Sequence, residues 1–107
     1  MTKIFLQNSL FPERLKQARK KSGFSQEDLG IKAGMDEGSA SGRMNYYEKG
    51  RHIPDMDMLK KLASELSVPL SYFFCENELS AELVVLFKGL DDQEKLNIIK
   101  LLRMSKK

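Results

Sequence analysis

The chain has 107 residues, 41% of them apolar, and a net charge of +3. That is enough for one small domain with one modest core, and too little charge to imply a nucleic-acid partner by itself. A single cysteine, Cys75, rules out an intrachain disulfide, and no apolar run approaches the roughly 20 residues of a membrane span, so a cytoplasmic protein without a membrane partner is expected. The opening apolar run, Ile4-Phe5-Leu6, is too short for a signal peptide.

Taken in order, the punctuation predicts short helices. Residues 1–10 read as an N-terminal arm. Phe11-Pro12 opens the first helix, since proline suits a first turn whose N–H has no partner. Leu15 and Ala18 form its apolar stripe, Arg14, Lys16, Arg19, Lys20 and Lys21 fall mostly on the solvent side, and Gly23 ends it. Ser25 caps a second helix, with Asp28 completing an acidic capping box. In that helix Leu29 and Ala33 face inward, Gly30 sits where two helices approach closely, and Gly34 closes the segment.

A third helix is expected from about Ser39 to Lys49, stopped by Gly50. Ala40, Met44 and Tyr47 form its buried stripe, leaving Ser41, Gly42, Asn45, Tyr46 and Lys49 on the opposite face. Pro54 and Asp55 start a fourth helix with Met58, Leu59, Leu62, Ala63 and Leu66 inward, broken by Val68-Pro69. Leu70 to Phe74 is a short, largely buried fifth helix, and Glu76-Asn77-Glu78 a turn or hinge. Two more helices, Ser80 to Lys88 and Asp92 to about Arg103, complete the chain. The predicted class is all-α, five helices plus two C-terminal ones, with 11–76 as one unit and 77–107 as another.

Two short helices joined at Ala33-Gly34 are the sequence form of a helix-turn-helix, whose second helix lies in the DNA major groove. Charge agrees. Residues 1–51 carry ten basic and six acidic side chains, net +4, while 52–107 are net −1. The excess positive charge sits on the half that holds the motif, as a phosphate-facing surface requires.

The order of these pieces resembles the phage-repressor (Cro/CI, XRE-type) helix-turn-helix family. The resemblance rests on Ser25-Gln26-Glu27-Asp28-Leu29, Ala33-Gly34, Tyr47-Glu48-Lys49-Gly50-Arg51, Pro54, Leu59-Lys60-Lys61-Leu62-Ala63 and Leu66-Ser67-Val68-Pro69-Leu70-Ser71-Tyr72-Phe73-Phe74. It spans residues 11–74 and implies a five-helix, lambda-repressor-like DNA-binding fold. Two features depart from the family pattern. Gly30 stands where alanine is usual, and the stretch from Gly34 to Glu48 is longer than usual. The extra residues, Met35 to Ser39, are either an enlarged turn or an added turn at the front of the third helix.

The resemblance implies roles for particular residues. Ser41, Gly42, Asn45 and Tyr46 match base-facing positions. Asn45 is suited to bidentate pairing with adenine, Tyr46 to a thymine methyl or a phosphate, and Gly42 offers no side chain. Gln26 matches a phosphate-contacting glutamine at a helix start. Lys49 and Arg51 would reach the flanking backbone, and Arg43, between the two faces, a phosphate or a base. Tyr47 reads as core, Glu48 as a partner for a basic residue of the first helix, and Cys75 as a small buried hydrophobe.

In the last helix Leu96, Ile98, Ile99, Leu101 and Leu102 form a stripe wider than one seam requires. Packing back on the domain is one reading. Pairing with a second copy is the favoured one, with Ile4-Phe5-Leu6 as a possible arm, because the family generally reads two half-sites as a dimer. No phosphate loop, nucleophile–base set or metal spacing occurs, so neither enzyme nor cofactor is expected. With no ligand domain in the sequence, no small-molecule ligand is expected either. The expectation is a dimeric DNA-binding transcriptional regulator on a palindromic operator, with a protein-interaction module on the same fold (antitoxin-type or coactivator-like) as the alternative.

Overall fold

The computed structural model describes residues 10–106, so the proposed arm with Ile4-Phe5-Leu6 lies outside the described residues. Six α-helices and one 3₁₀ helix follow in order: α1 Phe11–Ser22, α2 Gln26–Lys32, α3 Ala40–Glu48, α4 Met56–Leu66, the 3₁₀ helix Leu70–Phe74, α5 Glu78–Lys88 and α6 Asp92–Ser105. There is no strand among the described residues, and no helix is long and apolar enough to cross a membrane.

Local signals account for most boundaries. Gly23 takes a left-handed φ of 80°, and the N–H groups of Gly23 and Phe24 donate to the carbonyls of Lys20 and Arg19, so the end of α1 is hydrogen-bonded. The Ser25 hydroxyl accepts from the Asp28 N–H at 2.9 Å, while the Asp28 carboxylate accepts from the Ser25 N–H, the reciprocal box that starts α2. The Asp55 carboxylate caps α4 by accepting from the Met58 N–H at 2.9 Å, without a reciprocal bond.

Two segments differ from expectation, and the stretch before α3 takes one of its two expected forms, the enlarged turn. Asn77, read as part of a hinge, caps α5 through its side chain, so that helix begins at Glu78 rather than Ser80. The segment after the Val68-Pro69 break is a 3₁₀ helix, with Tyr72 and Phe73 buried but Phe74 exposed. Residues 36–39 form a hydrogen-bonded turn before α3, in which the Asp36 carbonyl accepts from the N–H groups of both Ser39 and Ala40.

The core joins α1 to α4, the 3₁₀ helix and the first turn of α5. Phe11 and Leu15 meet Leu29, Met44, Leu62 and Phe73, with Phe11 and Phe73 edge to face at 5.3 Å. Gly30 lies at the α2–α3 crossing, where an added Cβ would stand 2.8 Å from the Ala40 Cβ.

Two arginines depart from the predicted solvent face of α1. Arg14 is 1% exposed. Its guanidinium donates to the Cys75 carbonyl at 3.0 Å, to Gln17 at 3.1 Å and to Glu78 at 2.8 Å, which ties α1 to the start of α5. Arg19 is half-buried and bonded to Glu48. Periodicity puts both near the edge of the apolar stripe, and their long side chains reach acceptors that local spacing does not reveal. Cys75 is half-buried and packs at the core margin.

Helix α6 contributes no buried residue. The Cα radius of gyration, 15.6 Å, exceeds the roughly 13 Å of a compact 100-residue domain, in keeping with a C-terminal helix that leans away from the core.

Candidate nucleic-acid interface

Helix α3 has two faces. Ala40, Met44 and Tyr47 are buried on one side, and Ser41, Gly42 and Tyr46 are exposed on the other. Asn45 is half-buried at the margin toward α2. A Cβ built on Gly42 meets nothing within 4 Å, so the backbone of α3 is bare there.

The orientation of α3 is held from below. Glu48, with its side chain 4% exposed, accepts from Arg19 Nε at 2.5 Å and from Arg19 Nη2 at 3.0 Å, a two-pronged pair between α1 and α3. The hydrogen bond to Glu48 raises the Arg19 pKa above its already high ordinary value, partial burial opposing it. The guanidinium therefore stays charged at any pH where the fold exists.

Gln26, at the first position of α2, donates from Nε2 to Glu48 Oε1 at 3.1 Å and to Asn45 Oδ1 at 3.4 Å. Gln26, matched to a phosphate-contacting glutamine by the resemblance, joins the two helices of the motif through its side-chain amide, while its backbone N–H lies at the helix start.

The flanks carry charge and aromatic surface. Arg43 is exposed and donates to the Tyr47 hydroxyl at 3.2 Å, beside a pocket of about 280 Å³ whose lining includes His52, Asp55, Asp57 and Lys61. Tyr46 stacks on His52 with ring centroids 6.2 Å apart and planes 11° from parallel, and the Arg51 guanidinium stands 5.9 Å from the Tyr46 centroid. Lys49 is exposed at the end of α3. His52 is the only histidine of the chain, and the sequence assigns it no role. Its place beside Tyr46 follows from the turn at Gly50, φ 74°, and from the Arg51 N–H donating to the Tyr46 carbonyl at 2.9 Å, neither visible in spacing.

Away from this face, α5 and α6 border an open groove of about 450 Å³ lined by Leu83, Val84, Phe87, Ile98, Ile99 and Leu102 among others. Of the five residues assigned to pairing, Ile98 and Ile99 are half-buried there, while Leu96, Leu101 and Leu102 are exposed. No group of three or more potential metal ligands occurs among the described residues.

A family model described as helix-turn-helix matches residues 15–73. Among solved structures, that of the transcriptional regulator BswR is similar, with a TM-score of 0.80 and 41% identity over 87% of this chain and 92% of that one. No curated protein matches the sequence.

Proposed function

The chain belongs to the XRE-type helix-turn-helix family of DNA-binding transcriptional regulators, and on that premise we propose that it is a dimeric, sequence-specific repressor. The observation that carries this reading is the division of α3. Its apolar residues are all spent on the core, and the outward side offers only small or hydrogen-bonding groups at Ser41, Gly42, Asn45 and Tyr46. Arg43, Lys49 and Arg51 flank that side, matching a groove with readable base edges between phosphate walls. Gln26 contributes a backbone N–H at a helix start.

A second copy is the proposed partner for α5 and α6. Leu83, Leu86, Leu96, Leu101, Leu102 and Met104 are exposed along these helices, and exposed apolar residues gathered on two neighbouring helices suit a protein partner. Helix α6 carries Asp92 and Glu94 in its first turn and Lys100 and Arg103 toward its end. An antiparallel two-fold pairing sets acids against bases while covering the leucines. Such a dimer reads an inverted repeat, and where that repeat overlaps a promoter it excludes polymerase.

Selection of binding sites from a random duplex pool at about 100 mM salt tests the reading, since phosphate contacts are strongly salt-sensitive in that range. An inverted repeat with half-sites about one helical turn apart is expected. Weak binding without enrichment would overturn it in favour of a protein-interaction module.

A further inference from the structure

Arg14 is a polar tie between the DNA-binding unit and the C-terminal pair of helices. It is 1% exposed, donates to the Cys75 carbonyl at 3.0 Å and lies 5.8 Å from the Tyr72 ring centroid. A buried cation is costly without a counter-charge. Among the described residues Glu78, at 2.8 Å, is the carboxylate paired with it. The Glu78 side chain is itself 75% exposed, so it fills no space in the core. Cys75 and Asn77 are extended, and Glu78 is the first residue of α5. The pair therefore holds the point at which the chain turns into that helix. Beyond it α5 buries only Ala81, and α6 buries nothing.

We propose that the Arg14–Glu78 pair sets the direction in which α5 leaves the DNA-binding unit, and with it the half-site spacing that the dimer accepts. The inference rests on the dimeric DNA-binding reading above and deepens it from half-site sequence to half-site separation. The length of the lever gives the sensitivity. Helix α5 has 11 residues and is about 16 Å long, so a swing of about 10° at its start moves its far end by about 3 Å. One added base pair between half-sites displaces the second by about 3.4 Å and turns it by about 35°. A direction held to a few degrees admits one spacing, and a loosened one admits its neighbours. Glu78 is a positioning residue that acts through Arg14.

The test starts from the half-site found by the random-pool selection. The full chain is titrated against duplexes in which two inverted half-sites are moved apart or together one base pair at a time. Wild type should prefer one spacing about tenfold over its neighbours, and Glu78→Ala about threefold or less, with the half-site sequence and the dimer mass in light scattering unchanged. Glu78→Gln keeps an acceptor for Arg14 and should fall between the two. Glu82→Ala removes an exposed carboxylate one turn further along α5 and should keep the wild-type profile. A Glu78→Ala profile as sharp as wild type, or an equal flattening by Glu82→Ala, overturns the inference and leaves the dimeric reading standing. Equal binding of wild type to neighbouring spacings does the same. If Glu78→Ala does not fold, the Glu78→Gln profile decides, and wild-type sharpness there overturns the inference. A wild type that is monomeric or selects no inverted repeat ends the dimeric reading, and this inference with it.

Discussion

Gly30 and Gly42 both sit inside helices, where glycine costs about 1 kcal/mol relative to alanine. At Gly30 the fold supplies the reason, because a methyl group would stand 2.8 Å from the Ala40 Cβ. Gly30→Ala is therefore expected to lose about 1–3 kcal/mol by overpacking, despite its better propensity, and a thermal melt will show the lowered midpoint. At Gly42 nothing within 4 Å supplies a reason. Gly42→Ala is expected to gain about 0.5–1 kcal/mol in denaturant unfolding. If the bare backbone meets the groove, the same variant should bind the selected site about tenfold more weakly, a loss of about 1.4 kcal/mol. Unchanged affinity would show that α3 does not dock at this point. Ser67 is the one non-glycine residue with positive φ, 58°, among the described residues. It closes α4, and Ser67→Gly should stabilise by about 0.5–1 kcal/mol, measured by denaturant unfolding.

At the scale of elements, the motif is held less by its short helices than by what lies beneath them. Helix α2 has seven residues and α3 nine, both too short to persist alone. Arg19, Glu48 and Gln26 connect three helices through charge-assisted hydrogen bonds. Arg19→Met should cost about 2–4 kcal/mol, because it strands a buried carboxylate. The double variant Arg19→Met with Glu48→Gln should lose less than the two single losses added together, and a double-mutant cycle in urea reads this directly. Additive losses would mean that the pair does not act as a unit.

For the whole molecule, the question is what covers α5 and α6. Leu101 is 62% exposed and Leu102 52%, so charging this surface disturbs no core packing. Leu101→Lys combined with Leu102→Lys should leave the melting of the isolated subunit unchanged and convert a dimer to a monomer in light scattering. Binding to a two-half-site operator should then weaken about 100-fold or more, since the second contact is no longer intramolecular. A dimer that survives both lysines would place its interface elsewhere.

Much of this was legible in the sequence because it depends on neighbours within one helical turn. The Ser25 and Asp28 box, the stop at Gly23, the cap at Asp55 and the stripe Ala40, Met44 and Tyr47 each involve groups no more than a turn or two apart. The close approach at Gly30 was legible too, since a glycine in an otherwise good helix signals crowding. What the tertiary structure alone decided involves long polar side chains that reach across the chain. Arg14 finds two of its three acceptors 61 and 64 residues away, and Gln26 meets Asn45 and Glu48 19 and 22 residues on. Periodicity assigns such residues to the surface because it counts polarity and not reach. Their partners exist only once α1, α2, α3 and α5 have packed, so burial of a charge and the direction of an amide were settled by the fold.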